Sequence, residues 1–169
     1  MLFWIESAVW SVEHSWMKRP SLRAMQILGA IGVEFYCSRN APGDPELESY
    51  IRQLWDVART EDLPGWSAEC SGLCDGLGAR FASGNREHLR RLCNAAYEIA
   101  GSQMYSNYKP EQASRFLGEV GELAEVDLDS LALSEVFCRH APGVDGWGDP
   151  VPQHLVQEWQ KVARQICTT

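Results

Sequence analysis

A set of short blocks that occurs twice in the same order is the feature that most constrains the fold of this chain. Segments 20–59 and 110–164 each contain a Leu-Gly-x-(Ile/Val)-Gly block, a Cys…Arg…Ala-Pro-Gly block, an Asp-Pro pair and a Val-Ala-Arg ending. Ala-Pro-Gly and Asp-Pro are common turn fragments, so converging loops are the alternative explanation. The shared order favours an internal duplication, which is an architectural signal. The blocks are LGAIG at 28–32 and LGEVG at 117–121, EFYCSRNAPGDP at 34–45 and EVFCRHAPG at 135–143 with DP at 149–150, and VAR at 57–59 and 162–164.

Apolar residues recur with helical spacing along almost the whole chain, and no window alternates with the period of a strand. The sequence therefore predicts one all-α domain over 1–169 with about eight helices. It would be a helical bundle or a short solenoid, built from two related three-helix units if the duplication is real. The predicted helices are 3–17, 21–37, 45 to about 60, a less certain 66–82, 86–105, and helices near 110–124, 128–139 and 151–167.

Turn and cap residues set the expected helix ends. Asp44 and Pro45 are the predicted cap and first residue of the third helix, and Asn85 is the predicted cap of the fifth. Asp127 or Asp129 is expected to cap the helix near 128, and Asp149 the last helix. In the apolar second helix, Gly29 and Gly32 lower helix propensity, and we expect them to permit the close approach of a neighbouring helix.

The net charge of −8 excludes nucleic acid as the main partner, because phosphate binding needs clustered Lys and Arg. It favours a partner protein with a basic surface. The N-terminus lacks the basic region of a secretory signal, and the longest apolar stretch is too short to span a bilayer. We therefore expect a soluble, cytoplasmic protein without a membrane partner, whose six cysteines are reduced thiols.

Patterns that indicate catalysis or cofactor binding are weak in this sequence. It contains no G-x-S-x-G, no Gly-rich phosphate loop and no H-E-x-x-H, and the histidines are expected at the surface or at caps. A zinc site is one alternative, and its ligands would be Cys70, Cys74, Cys138 and His140. The spacing of Cys70 and Cys74 fits buried thiols better than it fits zinc ligands. The basic cluster Arg80, Arg86, His88, Arg90 and Arg91 is expected to pair with the chain's own acids. We predict no catalytic residue, no metal and no cofactor.

An acidic run, consisting of Glu119, Glu122, Glu125, Asp127 and Asp129, is the main candidate site. Its segment LGEVGELAE at 117–125 resembles the first metal-binding helix of the all-α nucleoside triphosphate pyrophosphatases, the MazG-like group. That resemblance implies an E-x-x-E pair that holds Mg²⁺ over a triphosphate, completed by a later E-x-x-D pair. Here the best-placed later glutamate, Glu135, is followed three residues on by Cys138.

These features favour a non-enzymatic, acidic, helical protein that binds and inhibits a protein partner. Bacterial toxin-neutralising immunity proteins and phage-encoded inhibitors of host defence are similar in size and charge. The predicted partner-binding residues are the five acids and Trp147, which could anchor an interface from its loop or cover the core edge. The alternatives are a Mg²⁺-dependent pyrophosphatase and an oligomeric scaffold. A homodimer is possible for this chain in addition to its protein partner.

Overall fold

The computed structural model describes residues 19–84 and 86–169, and these residues contain eight α-helices and no β-strand. The prediction of an all-α fold is confirmed. The predicted helix 3–17 and the predicted cap Asn85 lie outside the described residues. No described helix has both the length and the apolar character needed to cross a membrane. The helices are α1 (Leu22–Asn40), α2 (Pro45–Asp56), α3 (Leu63–Ser83), α4 (Glu87–Gly101), α5 (Pro110–Ala124), α6 (Leu128–Ala132), α7 (Glu135–Cys138) and α8 (Gln153–Cys167).

Helix α1 is the centre of the bundle, and its residues 22–33 are all buried. It packs against α2, α4, α5, α6 and α8, as expected for a helix that is apolar nearly all round. Its two glycines permit this packing. A Cβ on Gly29 would lie 2.5 Å from Ile99 Cδ1 of α4, and one on Gly32 would lie 2.6 Å from Val120 Cγ1 of α5. The predicted role of both glycines in close helix approach is confirmed.

Helix α2 begins as predicted and ends earlier than predicted. The Asp44 carboxylate accepts hydrogen bonds from the backbone N–H groups of Glu46 and Leu47, and Pro45 is the first helical residue. The regular helix ends at Asp56 instead of about Thr60, because the Ala58 and Arg59 N–H groups donate to the carbonyls three residues back, at Trp55 and Asp56. The carbonyls that follow are bound by other parts of the chain. Arg23 donates to the Val57 and Thr60 carbonyls, and the Val151 N–H donates to the Ala58 carbonyl.

Helix α3 is longer and more regular than the sequence suggested. It runs unbroken from Leu63 to Ser83 although it contains several glycines, because one face supplies a continuous buried stripe. Tertiary packing therefore outweighs the low helix propensity of glycine here. The buried stripe is Trp66, Ser67, Cys70, Cys74, Leu77 and Phe81.

Two boundaries in the second half of the chain differ from the predicted ones. The single helix expected over 128–139 is interrupted at Leu133 and Ser134 and forms the short helices α6 and α7. Asp149 does not cap the last helix, because α8 begins after Pro152, where no side chain accepts a cap hydrogen bond. Asp127, by contrast, caps α6 as predicted, by accepting from Ser130 N–H.

The duplication remains a prediction. Gly43 and Gly143, the glycines of the two Ala-Pro-Gly blocks, both have positive φ angles, of 74° and 64°. The helices of the two segments differ, since the first has one long helix where the second has α5, α6 and α7.

Candidate functional site

The five predicted acidic site residues lie together where α5 ends and α6 begins, and we call them the acidic corner. Glu119 and Glu122 are on the last turns of α5, and Glu125 is its C-terminal cap. Asp127 caps α6, and Asp129 lies in its first turn. Two consecutive helix ends therefore bring Glu122, Asp127 and Asp129 to one depression, whereas Glu119 faces Arg91 of α4.

The turn inside the acidic corner is held in an unusual backbone conformation. Glu125 is left-handed, with φ 59° and ψ 44°, and no other described non-glycine residue has a positive φ. This geometry lets the Val126 N–H donate to the Gly121 carbonyl at 3.0 Å, which closes the end of α5. Glycine usually fills this position, and a residue with a Cβ costs about 1 kcal/mol there. The carboxylate of Glu125 is thus present at a site where glycine would relieve strain.

Most carboxylates of the acidic corner have no basic partner among the described residues. Arg91 pairs with Glu119 at 3.3 Å, and Ser130 holds Asp127 through its N–H and its hydroxyl. These hydrogen bonds lower the pKa of Asp127 and keep it ionised. Within residues 19–84 and 86–169, no Lys, Arg or His forms an ion pair with Glu122, Glu125 or Asp129.

The basic cluster, in contrast, is largely neutralised by the chain itself. Arg80 pairs with Asp44 and Glu46, and Arg90 with Glu87 of the same helix. The predicted pairing with the chain's own acids is confirmed for these arginines and for Arg91. His88 donates to the Leu123 carbonyl at 2.7 Å and stacks on Tyr36, so it supports the end of α5.

A groove runs beside α5 and α6, and we call it the α5–α6 groove. Its acidic end is a depression of about 290 Å³ lined by Glu122, Asp127 and Asp129. Its apolar end is a cavity of about 450 Å³ that includes Met25, Leu117 and Leu133. Leu117 and Asp129 line both depressions, so the two adjoin along α5 and α6. The acidic corner therefore borders an apolar cavity.

Trp147, the sixth predicted site residue, lies apart from the acidic corner. It is only 6% exposed and packs edge-to-face against Trp66, with ring centroids 6.3 Å apart. Its loop is fixed to the start of α1 by the bond from Leu22 N–H to the Gly146 carbonyl. Trp147 thus covers the core edge, which is the second of its two predicted positions.

Four of the cysteines, Cys37, Cys70, Cys74 and Cys93, are buried thiols that are poorly suited to chemistry. Cys37, Cys70, Cys74, Cys93 and Cys167 are free thiols, as predicted. Burial raises the pKa of Cys37 to about 12 and that of Cys74 to about 11, and it raises the pKa of Cys70 and Cys93 as well. Since the thiolate is the nucleophile and the metal ligand, these thiols are held in their unreactive form.

A buried serine–histidine pair is the feature that sequence reasoning missed. His140 was expected at the surface or at a cap, but it is buried, with Nδ1 2.6 Å from Ser21 Oγ and Nε2 2.8 Å from the Asp149 carbonyl. The carbonyl can only accept, so Nε2 carries the proton and Nδ1 accepts from the Ser21 hydroxyl. Burial lowers the pKa of His140 and keeps it neutral. Ser21 is 0% exposed and caps α1, so this pair fastens the loop of Trp147 to α1 and no substrate reaches it.

The alternative metal sets are not brought together. Cys70 and Cys74 face α4 within the core, whereas His140 lies beside Ser21. Glu135 is paired with Arg139 at 3.9 Å on the short helix α7. In the part of the chain that the structure describes, no three His, Cys, Asp or Glu side chains are grouped so that they could hold a metal ion.

Comparison with known proteins gives no relative for this chain: no protein-family profile, curated protein or solved structure matches it.

Proposed function

We propose that this chain is a non-enzymatic, acidic, helical protein that binds a basic protein partner and inhibits it. The observation that carries the proposal is the acidic corner, where Glu122, Glu125 and Asp129 have no cation paired with them among the described residues. Carboxylates left unpaired on one edge attract a basic surface, raise the association rate and select against acidic partners.

The distribution of charge supports this role. Arg80 and Arg90 are paired with the chain's own acids, and the chain as a whole carries a net charge of −8, which attracts a basic partner. The strained conformation of Glu125 adds a second argument, because strain is retained where a side chain has a use. An immunity protein or a phage-encoded inhibitor of host defence would use such a surface to cover a basic active site or nucleic-acid-binding face.

The test is capture of a partner from the products of neighbouring genes in the native host. The wild-type protein should retain a basic protein at low ionic strength and release it as salt rises. The variant Glu122→Gln/Asp129→Asn should retain much less. Glu61→Gln, which removes one exposed carboxylate from the turn before α3, is the control and should behave as wild type. Equal retention by all three proteins would contradict the proposal.

A parallel assay separates this proposal from the alternatives. Mg²⁺-dependent release of pyrophosphate from a panel of nucleoside triphosphates, lost in Glu122→Ala, would establish the pyrophosphatase instead. A mass that increases with protein concentration, without any retained partner, would indicate the scaffold.

A further inference from the structure

The apolar end of the α5–α6 groove is exposed although its walls are made of core-type side chains. Met25 and Leu117 form part of its lining and are nearly inaccessible, whereas Leu133 at its edge is 79% exposed. The cavity of about 450 Å³ is in the range of sites that take a ligand or a large side chain. Leu133 adds exposed apolar area at the mouth of this cavity.

Tyr108 supplies a polar group at the same end of the groove. Its ring is wedged against the loop of Trp147, since a Cβ on Gly146 would lie 2.3 Å from Tyr108 Cγ. Its hydroxyl is buried and has no hydrogen-bond partner within the described chain. Arg19 and Glu111, which both line the groove, are the charges that act on this hydroxyl. Buried hydroxyls are normally paired, so this one is an unsatisfied donor in the wall of the groove, and it reaches an incoming group only when binding displaces the atoms that cover it.

The charges along the groove decide which molecule fits. Arg19 and Glu111 face each other at 4.0 Å at the apolar end, and Glu122, Asp127 and Asp129 add three carboxylates along the groove. The excess of carboxylates disfavours an anionic or fatty-acid ligand and favours a cation next to an apolar group.

We infer that the α5–α6 groove binds a basic segment of the partner protein that carries one large apolar anchor. The anchor fills the cavity between Met25, Leu117 and Leu133. A neighbouring Lys or Arg meets Glu122 and Asp129, and the Tyr108 hydroxyl donates to a backbone carbonyl of the segment. This inference rests on the proposed function, because it specifies how the basic partner is recognised.

The test uses two fluorescently labelled peptides of equal charge, Lys-Lys-Trp-Lys-Lys and Lys-Lys-Ala-Lys-Lys, titrated with the full chain at low ionic strength. Fluorescence anisotropy should show that the tryptophan peptide binds about tenfold more tightly. Leu133→Ser should remove most of that difference. Val144→Ser, which changes a fully exposed residue that does not line the groove, is the matched control and should preserve it.

Tyr108→Phe gives a readout that a purely structural role would not produce. The free protein should melt at a higher temperature, because a buried hydroxyl without a partner is removed. Binding of the tryptophan peptide should nevertheless weaken several-fold. A variant that is more stable and binds equally well would overturn the role of Tyr108.

The outcomes separate the groove from the proposed function. If both peptides bind equally and Glu122→Gln weakens both, the acidic corner binds a basic partner but the groove holds no anchor. If neither peptide binds, both ideas fail. A dimer that Leu133→Ser dissociates would assign the groove to a second copy. Tighter peptide binding in Trp16→Ala would assign it to residues 1–18 of the same chain. Either result would overturn the inference.

Discussion

Arg23→Met is the substitution whose effect follows most directly from the structure. Arg23 is 3% exposed and lies in the first turn of the central helix α1. Its guanidinium donates to the carbonyls of Val57 and Thr60 just after α2, and to the Gly148 carbonyl at 3.3 Å. It therefore joins three segments that are distant in sequence. Methionine keeps much of the volume and removes every donor.

The expected loss is about 3 kcal/mol of unfolding free energy. A hydrogen bond from a charged donor contributes about 1.5–3 kcal/mol, so the three bonds together are large in gross terms. Burial works in the opposite direction, and it lowers the pKa of Arg23 because it penalises the charged form. That penalty, several kcal/mol for a buried ion, offsets a large part of the gain. The remaining loss comes mostly from the carbonyls that are left without a donor.

Urea or thermal unfolding measures this loss. For a chain of this size, about 3 kcal/mol lowers the melting temperature by about 9 °C. Arg59→Met is the matched control, because Arg59 is exposed and, within the described residues, its side chain bonds only that of Gln153. It should change stability by less than about 0.5 kcal/mol. If Arg23→Met is as stable as Arg59→Met, Arg23 does not hold the three segments together.

Three further substitutions test the fold and the acidic corner. Gly32→Ala should destabilise the protein by about 2 kcal/mol in urea unfolding, because its Cβ would clash with Val120 Cγ1. Gly72→Ala should instead be about 0.7 kcal/mol more stable than the wild type, because Gly72 has open space around it. A destabilised Gly72→Ala or an unaffected Gly32→Ala would contradict the packing. Glu125→Gly should stabilise the chain by about 1 kcal/mol and weaken partner retention, and unchanged retention would remove Glu125 from the binding surface. Burial lowers the pKa of His140, so the unfolded chain binds its proton first as the pH falls below about 6.5, and the contribution of His140 to stability decreases there and is constant above. His140→Gln should flatten that decrease between about pH 7 and about pH 5, and an equal slope in both proteins would assign the pH dependence to other groups.

Helix positions could be predicted where the apolar period is strong and a cap marks the end. Helix α5 agrees with its predicted range, and Asp44 caps α2 as expected. The sequence was less informative for α3. Its glycines lower helix propensity, whereas the buried stripe that stabilises the helix depends on packing against α4, and this packing outweighs the effect of the glycines. The break between α6 and α7 had no clear local signal, since no Pro or Gly lies in 128–138.

The acidic corner could be predicted because its residues are close in sequence, so that helix geometry alone places them together. The buried polar network could not be predicted. Arg23 and Gln26 interrupt an apolar stretch, which was the available signal, but their acceptors are far along the chain. Gln26 bonds the Ala96 carbonyl and the Ala100 N–H, and Arg23 bonds carbonyls up to 125 residues away. Such pairings follow from the tertiary arrangement.

The central claim is that the acidic corner is the binding surface. The salt dependence of the affinity for the captured partner tests this claim most directly. The dissociation constant should be measured across a range of ionic strength for the wild type and for Glu122→Gln/Asp129→Asn. We predict an affinity at least about tenfold lower for the variant at low salt, a difference that shrinks as screening increases. Equal affinities and equal salt slopes for the two proteins would contradict the proposed function.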